Sequence, residues 1–252
     1  MKVTFLGTGT SSGVPEIGCQ CEVCLSNDSR DKRTRCSLLL EWDNKNIVID
    51  CGPDFRQQCL TVGLTNIDAV LLTHNHFDHI GGLEELRPIT GKRAMPIWCE
   101  PYVQDELRKR LYYVFSIAVK GYASNIVFES IDISQPFEVE GIEIIPIRMY
   151  HHRLPVVGFR IGKLAYLTDF TEITDCELTK LEGVEVLIIE ALRHREHISH
   201  ISVSQALGFI ERIAPMKSFL IHMNHQFGLH SEVEPTLPSG VFVAYDGLTF
   251  TV

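Results

Sequence analysis

Two groups of metal-seeking side chains stand far apart in this chain. In the first, THNHFDH, His74, His76, Asp78 and His79 fall within six residues, directly after the apolar run AVLLT. In a strand such residues would alternate between faces, so only a loop at the strand's end converges them on one point. Gly81 and Gly82 let the backbone pass close to that point before the next helix. Imidazoles and a carboxylate at this density are the chemistry of a metal site, set against a polar surface loop with incidental histidines. More donors close other apolar runs: Asp169 ends AYLTD, His222 ends SFLIH and His151 follows EIIPIRM. Taken singly, each would be an ordinary solvated or capping residue. Together they would gather on one rim, where the carboxylate can bridge two cations.

The second group is GCQCEVC, with Cys19, Cys21 and Cys24 and no second cysteine pair downstream. Three thiolates leave a tetrahedral zinc one ligand short. Half a metal site, disulfide partners and three inert thiols all remain open on spacing alone. The opening MKVTFLGTGTSSGVP has no apolar stretch of signal-peptide length, and no run reaches the roughly 20 apolar residues that span a bilayer. A cytoplasmic chain is expected to keep its thiols reduced, which disfavours the disulfides. Cys36, Cys51, Cys59, Cys99 and Cys176 lie in or beside apolar segments and are expected to pack as small hydrophobes.

The elements that must position these groups follow from pattern. The chain has 252 residues, 45% hydrophobic and 22% charged, enough for a full core. Its net charge of −9 argues against bulk electrostatic gripping of nucleic acid or an anionic membrane. Strand KVTFL leads into the turn GTGTSSG and a polar excursion to about Arg35. A hairpin follows, SLLLEW and NIVID about DNKN, then a helix near residues 54 to 62 and the buried strand AVLLT. Helix GLEELRPI, strand PIWCE and helix DELRKRLYYVF come next. The β-rich middle holds FEVEGIEIIPIRM and the hairpin VVGFRIGKLAYLTD, turned at Gly162 and Lys163. Strand EVLIIEA, helix SVSQALGFIERIA, strand SFLIHM and a terminal hairpin VFVAYDGLTFTV complete the chain. Two blocks of strands with helices predict two face-to-face sheets, helices outside, in one domain over 1–252.

With these residues in view, the sequence resembles the metallo-β-lactamase superfamily, whose HxHxDH signature stands here as His74, His76, Asp78 and His79. The resemblance covers nearly the whole chain. It implies an α/β (α+β) fold, a four-layer αββα sandwich with a dinuclear centre of manganese or zinc. By this match His74, His76 and His151 hold one metal, Asp78, His79 and His222 the other, and Asp169 bridges them. His151 is preferred to His152 because HHRLPVVGFRI looks like the family pattern before the next strand.

Class B β-lactamases usually place cysteine or histidine where Asp169 stands. The chain looks closer to the phosphodiesterase branch that includes transfer-RNA 3′ processing endonucleases and the phosphoribosyl cyclic phosphate phosphodiesterases of the carbon-phosphorus lyase pathway. The latter carry a similar insertion, here about residues 13–36 with GVPEIGCQCEVC, and a similar HMNHQF and LPSGVFVAYDGLTF. That likeness implies a structural zinc held by Cys19, Cys21, Cys24 and His225. Such a closed Cys₃His set leaves no open position.

The same likeness implies a hydrolase in which two divalent ions ionise a shared water and take up phosphoryl charge. Asp78 would also orient that water. His200, before the helix SVSQALGFI, would contact the scissile phosphate and assist the leaving group, while His194 and His197 read as solvated. The expected substrate is a small phosphodiester, cyclic ones included, with a homodimer as assembly. Precursor transfer RNA is a rival substrate, for which KGYASN and LRKRLYYVF offer only modest basic stretches. Thioesters or lactones are a second rival, and a nonenzymatic scaffold would need a damaged ligand set that is not seen.

Overall fold

A computed structural model describes residues 1–90, 93–115 and 125–252. Of KGYASN, all but Asn125 lies outside them. The first sheet takes β1 (Lys2–Gly7), β2 (Ser37–Trp42), β3 (Lys45–Ile49), β4 (Ala69–Leu71), β5 (Met95–Cys99) and β6 (Ile126–Ser130). The second takes β7 (Phe137–Val139), β8 (Ile142–His151), β9 (Leu154–Ile161), β10 (Leu164–Leu167), β11 (Glu172–Ile173), β12 (Val186–Glu190), β13 (Lys217–Ile221) and β14 (Val241–Val243). β15 (Thr249–Thr251) returns to the first sheet beside β1.

Alternation along the strands makes the layers. Leu38, Leu40, Ile47 and Ile49 point between the sheets, where they meet Val157, Phe159, Val186 and Ile188. Their neighbours Leu39 and Val48 point outward, onto Phe55 and Cys59 of helix Phe55–Val62 and Leu107 of helix Pro101–Arg110. Leu187 and Ile189 likewise cover Ala206 of helix Val203–Ile213. Strands buried on both faces therefore read as continuous apolar runs. The four-layer αββα sandwich is the architecture expected from sequence.

Strand direction then decides where chemistry can gather. β3, β4, β5 and β6 are mutually parallel, as are β10, β12, β13 and β14. β8 runs with β10, since each is antiparallel to β9. The candidate donors stand at the carboxyl ends of β4, β8, β10 and β13.

Three expectations need correction. The terminal VFVAYDGLTFTV is not a hairpin: β14 lies parallel on β13 while β15 lies antiparallel on β1. The crossing is held by Asp246, which accepts from Thr8 Oγ1 at 2.8 Å and from Thr34 N and Oγ1 at 2.7 Å. Helix DELRKRLYYVF starts earlier, at Pro101, whose missing N–H suits a first turn, and it stops at Arg110. Cys176 is exposed, whereas Cys36, Cys51, Cys59 and Cys99 are buried as expected. Cys176 belongs to the short helix Asp175–Thr179, which has no buried residues.

Candidate metal centre

Three donor-bearing residues follow strand ends in left-handed backbone: Asp50 at φ +62°, Asp169 at +52° and His222 at +58°. For residues with a Cβ this conformation costs about 1–3 kcal/mol each, and such strain persists where the surroundings demand it. The histidine stretch differs from a simple loop, because Phe77–Ile80 forms one helical turn that carries Asp78 and His79. Gly82 packs so close to Gly52 that a Cβ would lie 2.1 Å from the Gly52 carbonyl oxygen. Only glycine lets that turn sit against the end of β3.

The result is one buried pocket with two donor sets. Donor atoms of His74, His76 and Asp169 lie within 4.8 Å of one another, and so do those of Asp78, His79, Asp169 and His222. Asp169 belongs to both: Oδ2 is 3.6 Å from His74 Nε2 and 3.4 Å from His79 Nε2, while Oδ1 is 2.9 Å from His222 Nε2. Asp78 Oδ2 lies 3.2 Å from His79 Nε2 and 3.6 Å from His222 Nε2.

The back of the pocket fixes the imidazoles. Thr73 donates its hydroxyl to Asp50 Oδ2 at 2.9 Å, so toward His74 Nδ1, 2.9 Å away, that oxygen accepts. His74 Nδ1 therefore carries a proton and Nε2 presents its lone pair to the pocket. His79 Nδ1 lies 2.7 Å from Asp50 Oδ2, again leaving Nε2 inward. The Nε2 atoms of His74, His79 and His222 are buried without a hydrogen-bond partner. Orphaned nitrogens facing carboxylates are what a divalent cation satisfies, and carboxylate–histidine support is usual behind metal ligands.

Electrostatics agree. Burial opposes charge on His222, yet Asp169, Asp78 and Glu190 outweigh it and raise the imidazole to about 10. His79 is raised likewise against burial, by Asp169, Asp50 and Asp78. Burial also works against the charged forms of Asp78 and Asp169, but neighbouring histidines hold both below the usual carboxylate range. The carboxylates thus draw positive charge into a space from which water is largely removed.

His151 and His152 are separated by the turn after β8. His152, at φ +57°, is exposed, while His151 is buried with its ring centroid 5.1 Å from His76 and 6.1 Å from His74. His151 stands beside the trio His74, His76 and Asp169 rather than inside its 4.8 Å span. Burial, then neighbouring histidines against Asp169, holds it down at about 4, so it is a neutral donor at ordinary pH.

His200 borders the pocket, its ring 4.6 Å from His151 and 5.0 Å from His222. Its Nδ1 is 2.9 Å from Oε2 of the fully buried Glu190, whose Oε1 accepts from the Phe170 N–H. Asp169, Glu190, His200 and His222 also lie within 4.8 Å, but here the Glu190–His200 bond already joins two of the four. Sequence reasoning missed Asp50, Thr73 and Glu190. The signal was the one that found Asp169: an acid closing an apolar strand, in NIVID and VLIIE.

The cysteine group is a separate cluster. Donor atoms of Cys19, Cys21, Cys24 and His225 lie within 4.8 Å, with His225 Nδ1 3.1 Å from Cys19 Sγ and 3.5 Å from Cys21 Sγ. Glu16 Oε2 sits 3.2 Å from His225 Nε2 and orients the ring. Backbone N–H groups face the sulfurs: Cys24 N to Cys21 Sγ at 3.5 Å and Glu16 N to Cys24 Sγ at 3.4 Å. Burial disfavours the Cys21 thiolate, but the Cys24 N–H and His225 outweigh it and lower the thiol to about 6. Burial and the neighbouring thiols push Cys24 up to about 11. A donor set of three sulfurs and one imidazole fits tetrahedral zinc.

Comparison with known proteins matches residues 45–223 to the β-lactamase superfamily domain. A solved diphosphatase from the PhnP family is 34% identical, with a TM-score of 0.93 over 99% of this chain and 96% of its own. Zinc-bound PqqB from Methylobacterium extorquens is 20% identical with a TM-score of 0.80, covering both chains completely, which shows the shared fold. An octanoyltransferase of Porphyromonas gingivalis is 45% identical over 98% of this chain, but the chain spans only 51% of that protein. Among the described residues no helix is long and apolar enough to cross a membrane.

Proposed function

The chain belongs to the metallo-β-lactamase superfamily and within it to the PhnP family, and from that premise we propose a metal-dependent phosphodiesterase acting on a small, cyclic or linear, phosphodiester. The observation that carries this reading is the juxtaposition of six strand-end donors, with His151 beside them, and the Glu190–His200 pair on their border. His74, His76 and His151 would hold one divalent ion, Asp78, His79 and His222 the other, with Asp169 between them. When bound, manganese or zinc ions at such a site supply Lewis acidity toward phosphoryl oxygens and lower the pKa of water. A separate zinc would be held by Cys19, Cys21, Cys24 and His225, closing the insertion without an open position.

The chain's own groups do the rest. Glu190 engages Nδ1 of His200, which leaves Nε2 to face a phosphoryl or leaving oxygen. Asp78 orients the attacking water, and His200 delivers a proton to the departing oxygen. A small-molecule substrate, a cytoplasmic location and a homodimer complete the reading. Acyl transfer is not carried over from the octanoyltransferase, whose length is about twice the part that this chain matches.

The test is an activity screen of the manganese- and zinc-reconstituted protein against cyclic ribose phosphates, linear phosphodiesters, precursor transfer RNA, lactones and thioesters. Turnover of the small phosphodiesters supports the proposal. Turnover confined to transfer RNA, or to lactones or thioesters, replaces it with the corresponding rival.

A further inference from the structure

His151 is the one donor of its proposed set that stands outside the 4.8 Å span of His74, His76 and Asp169. His74 and His76 follow a strand of the first sheet, whereas His151 closes β8 of the second. Its place is therefore set by whatever holds the β8–β9 hairpin against the first sheet. Across the turn His151 pairs with Leu154, and Tyr150 with Pro155. β10 pairs with β9 only at Phe159, Arg160 and Ile161, so that edge of β9 continues from Gly158 to Leu154 without a neighbouring strand.

The first sheet supplies the partners there. The Thr73 carbonyl accepts from Val157 N–H at 3.0 Å, which ties β9 to the residue before His74. The Tyr102 hydroxyl donates to the Pro155 carbonyl at 2.6 Å. Pro155 has no N–H to satisfy, and an edge is where a strand tolerates proline. Tyr102 lies in the first turn of helix Pro101–Arg110, its side chain against the core on the outer face of the first sheet. Glu100, the N-cap residue of the same helix, takes the other arm of the hairpin. It accepts from Arg148, three residues before His151, with Nη1 at 2.8 Å and Nη2 on its second oxygen. One helix start thus holds both arms. Thr171 N–H, bonded to the Tyr150 carbonyl at 2.8 Å, ties the same turn to the loop after Asp169. Burial and Glu100 raise the Tyr102 hydroxyl above its ordinary pKa, against Arg148, so it stays a donor.

We propose that Tyr102 and Glu100 are positioning residues: through the hairpin they set how closely His151 approaches His74 and His76, and so how tightly that donor set holds a divalent ion. The inference rests on the dinuclear reading and deepens it. The His151 ring centroid lies 5.1 Å from that of His76 and 6.1 Å from that of His74. Metal–ligand distances tolerate only about 0.2 Å, so a hairpin freed on one arm presents His151 less well. Outer partners of this kind typically change metal affinity about 10- to 100-fold.

Tyr102→Phe removes the hydroxyl and keeps the ring in its core contacts. Manganese prefers oxygen and nitrogen donors to thiolates, so calorimetric titration of protein depleted of pocket metal with Mn²⁺ reads the pocket. Wild type should take up two ions. Tyr102→Phe should weaken one of the two by about tenfold or more and leave the other within about twofold, and Glu100→Gln should weaken the same one. The manganese concentration for half-maximal phosphodiester turnover should rise by the same factor, and saturating manganese should bring kcat back to within a few-fold of wild type. In the His151→Ala background, adding Tyr102→Phe should weaken binding no further. Tyr112→Phe, at an exposed tyrosine past the helix end, should leave both affinities as they are. If Tyr102→Phe leaves both affinities unchanged, weakens both equally, or costs as much in the His151→Ala background, the hydroxyl serves general stability and the proposal is overturned. If the wild type takes up fewer than two ions, the dinuclear reading falls and takes the proposal with it. Uptake of two ions without turnover of any phosphodiester overturns the phosphodiesterase reading alone, and the affinities then decide the positioning role as before.

Discussion

The two donor clusters of this chain differ in how they are supported. The strand-end pocket draws its residues from both sheets, strains Asp50, Asp169 and His222 into left-handed backbone, and leaves buried nitrogens without hydrogen-bond partners. The cysteine cluster joins one N-terminal excursion to His225 and rests on a small core of Val14, Val23 and Cys24 with Leu229 against it. The first is a frame of strand ends holding a buried, charged donor set; the second is a cluster that ties down a segment. The difference teaches that donor count alone does not separate catalysis from architecture. The neighbouring groups set them apart: the pocket has the Glu190–His200 pair at its border, whereas the cysteine cluster has Glu16 against His225.

The comparison can be broken in graded steps. Asp169→Ala, which removes the donor shared by both sets, should lower phosphodiester turnover by about three orders of magnitude or more and deplete the pocket of metal. Retained metal and turnover would contradict the shared role. His200→Ala should lower kcat by about 10²- to 10⁴-fold with metal content unchanged, the effect expected of its proposed role in proton transfer. Loss of metal in that variant would make His200 a ligand instead. Cys24→Ser should keep kcat within a few-fold but release zinc and lower Tm, because ligand loss removes metal-coupled folding energy. An unchanged Tm with unchanged zinc leaves three uncoordinated thiols as the better account.

Smaller effects sharpen the electrostatics. In metal-free protein, burial opposes charge on His222 but Asp169, Asp78 and Glu190 raise it from an ordinary 6.5 to about 10. A raised folded-state pKa contributes stability that is fully present below about 6.5 and is lost as pH rises through about 10. The chelated protein should therefore lose Tm between pH 7 and 10 more steeply than the reconstituted one, in which a cation replaces the proton. Parallel melting curves would remove this account of the pocket. Smallest of all, His152→Ala should alter Tm and metal content negligibly, as an exposed turn residue does, in contrast to His151→Ala.

Much of this was legible from pattern. HxHxDH after an apolar strand, and Asp169 and His222 at strand ends, declared the pocket because parallel strands bring their carboxyl ends to one side. Asp50 and Glu190 obeyed the same rule but stood alone, without a ligand motif nearby to lend them meaning. The ends of the chain were harder. VFVAYDGLTFTV has the alternation and turn of a hairpin, and only the partners of Asp246 on Thr8 and Thr34, more than 200 positions away, divert β15 to the other sheet. Likewise Arg33, buried and donating to the Ala244 carbonyl at 2.7 Å, ties the cysteine-bearing excursion down beside any metal. Such long-range polar tethers leave no periodic trace in a sequence.

The most direct test of two separate centres is metal stoichiometry by mass spectrometry on purified wild type, Cys21→Ser and Asp169→Ala. Cys21→Ser should lose one zinc equivalent and keep its activity, whereas Asp169→Ala should keep that zinc and lose the pocket metal together with activity. Simultaneous loss of all metal in either variant, or an active Asp169→Ala protein with full metal content, would contradict it.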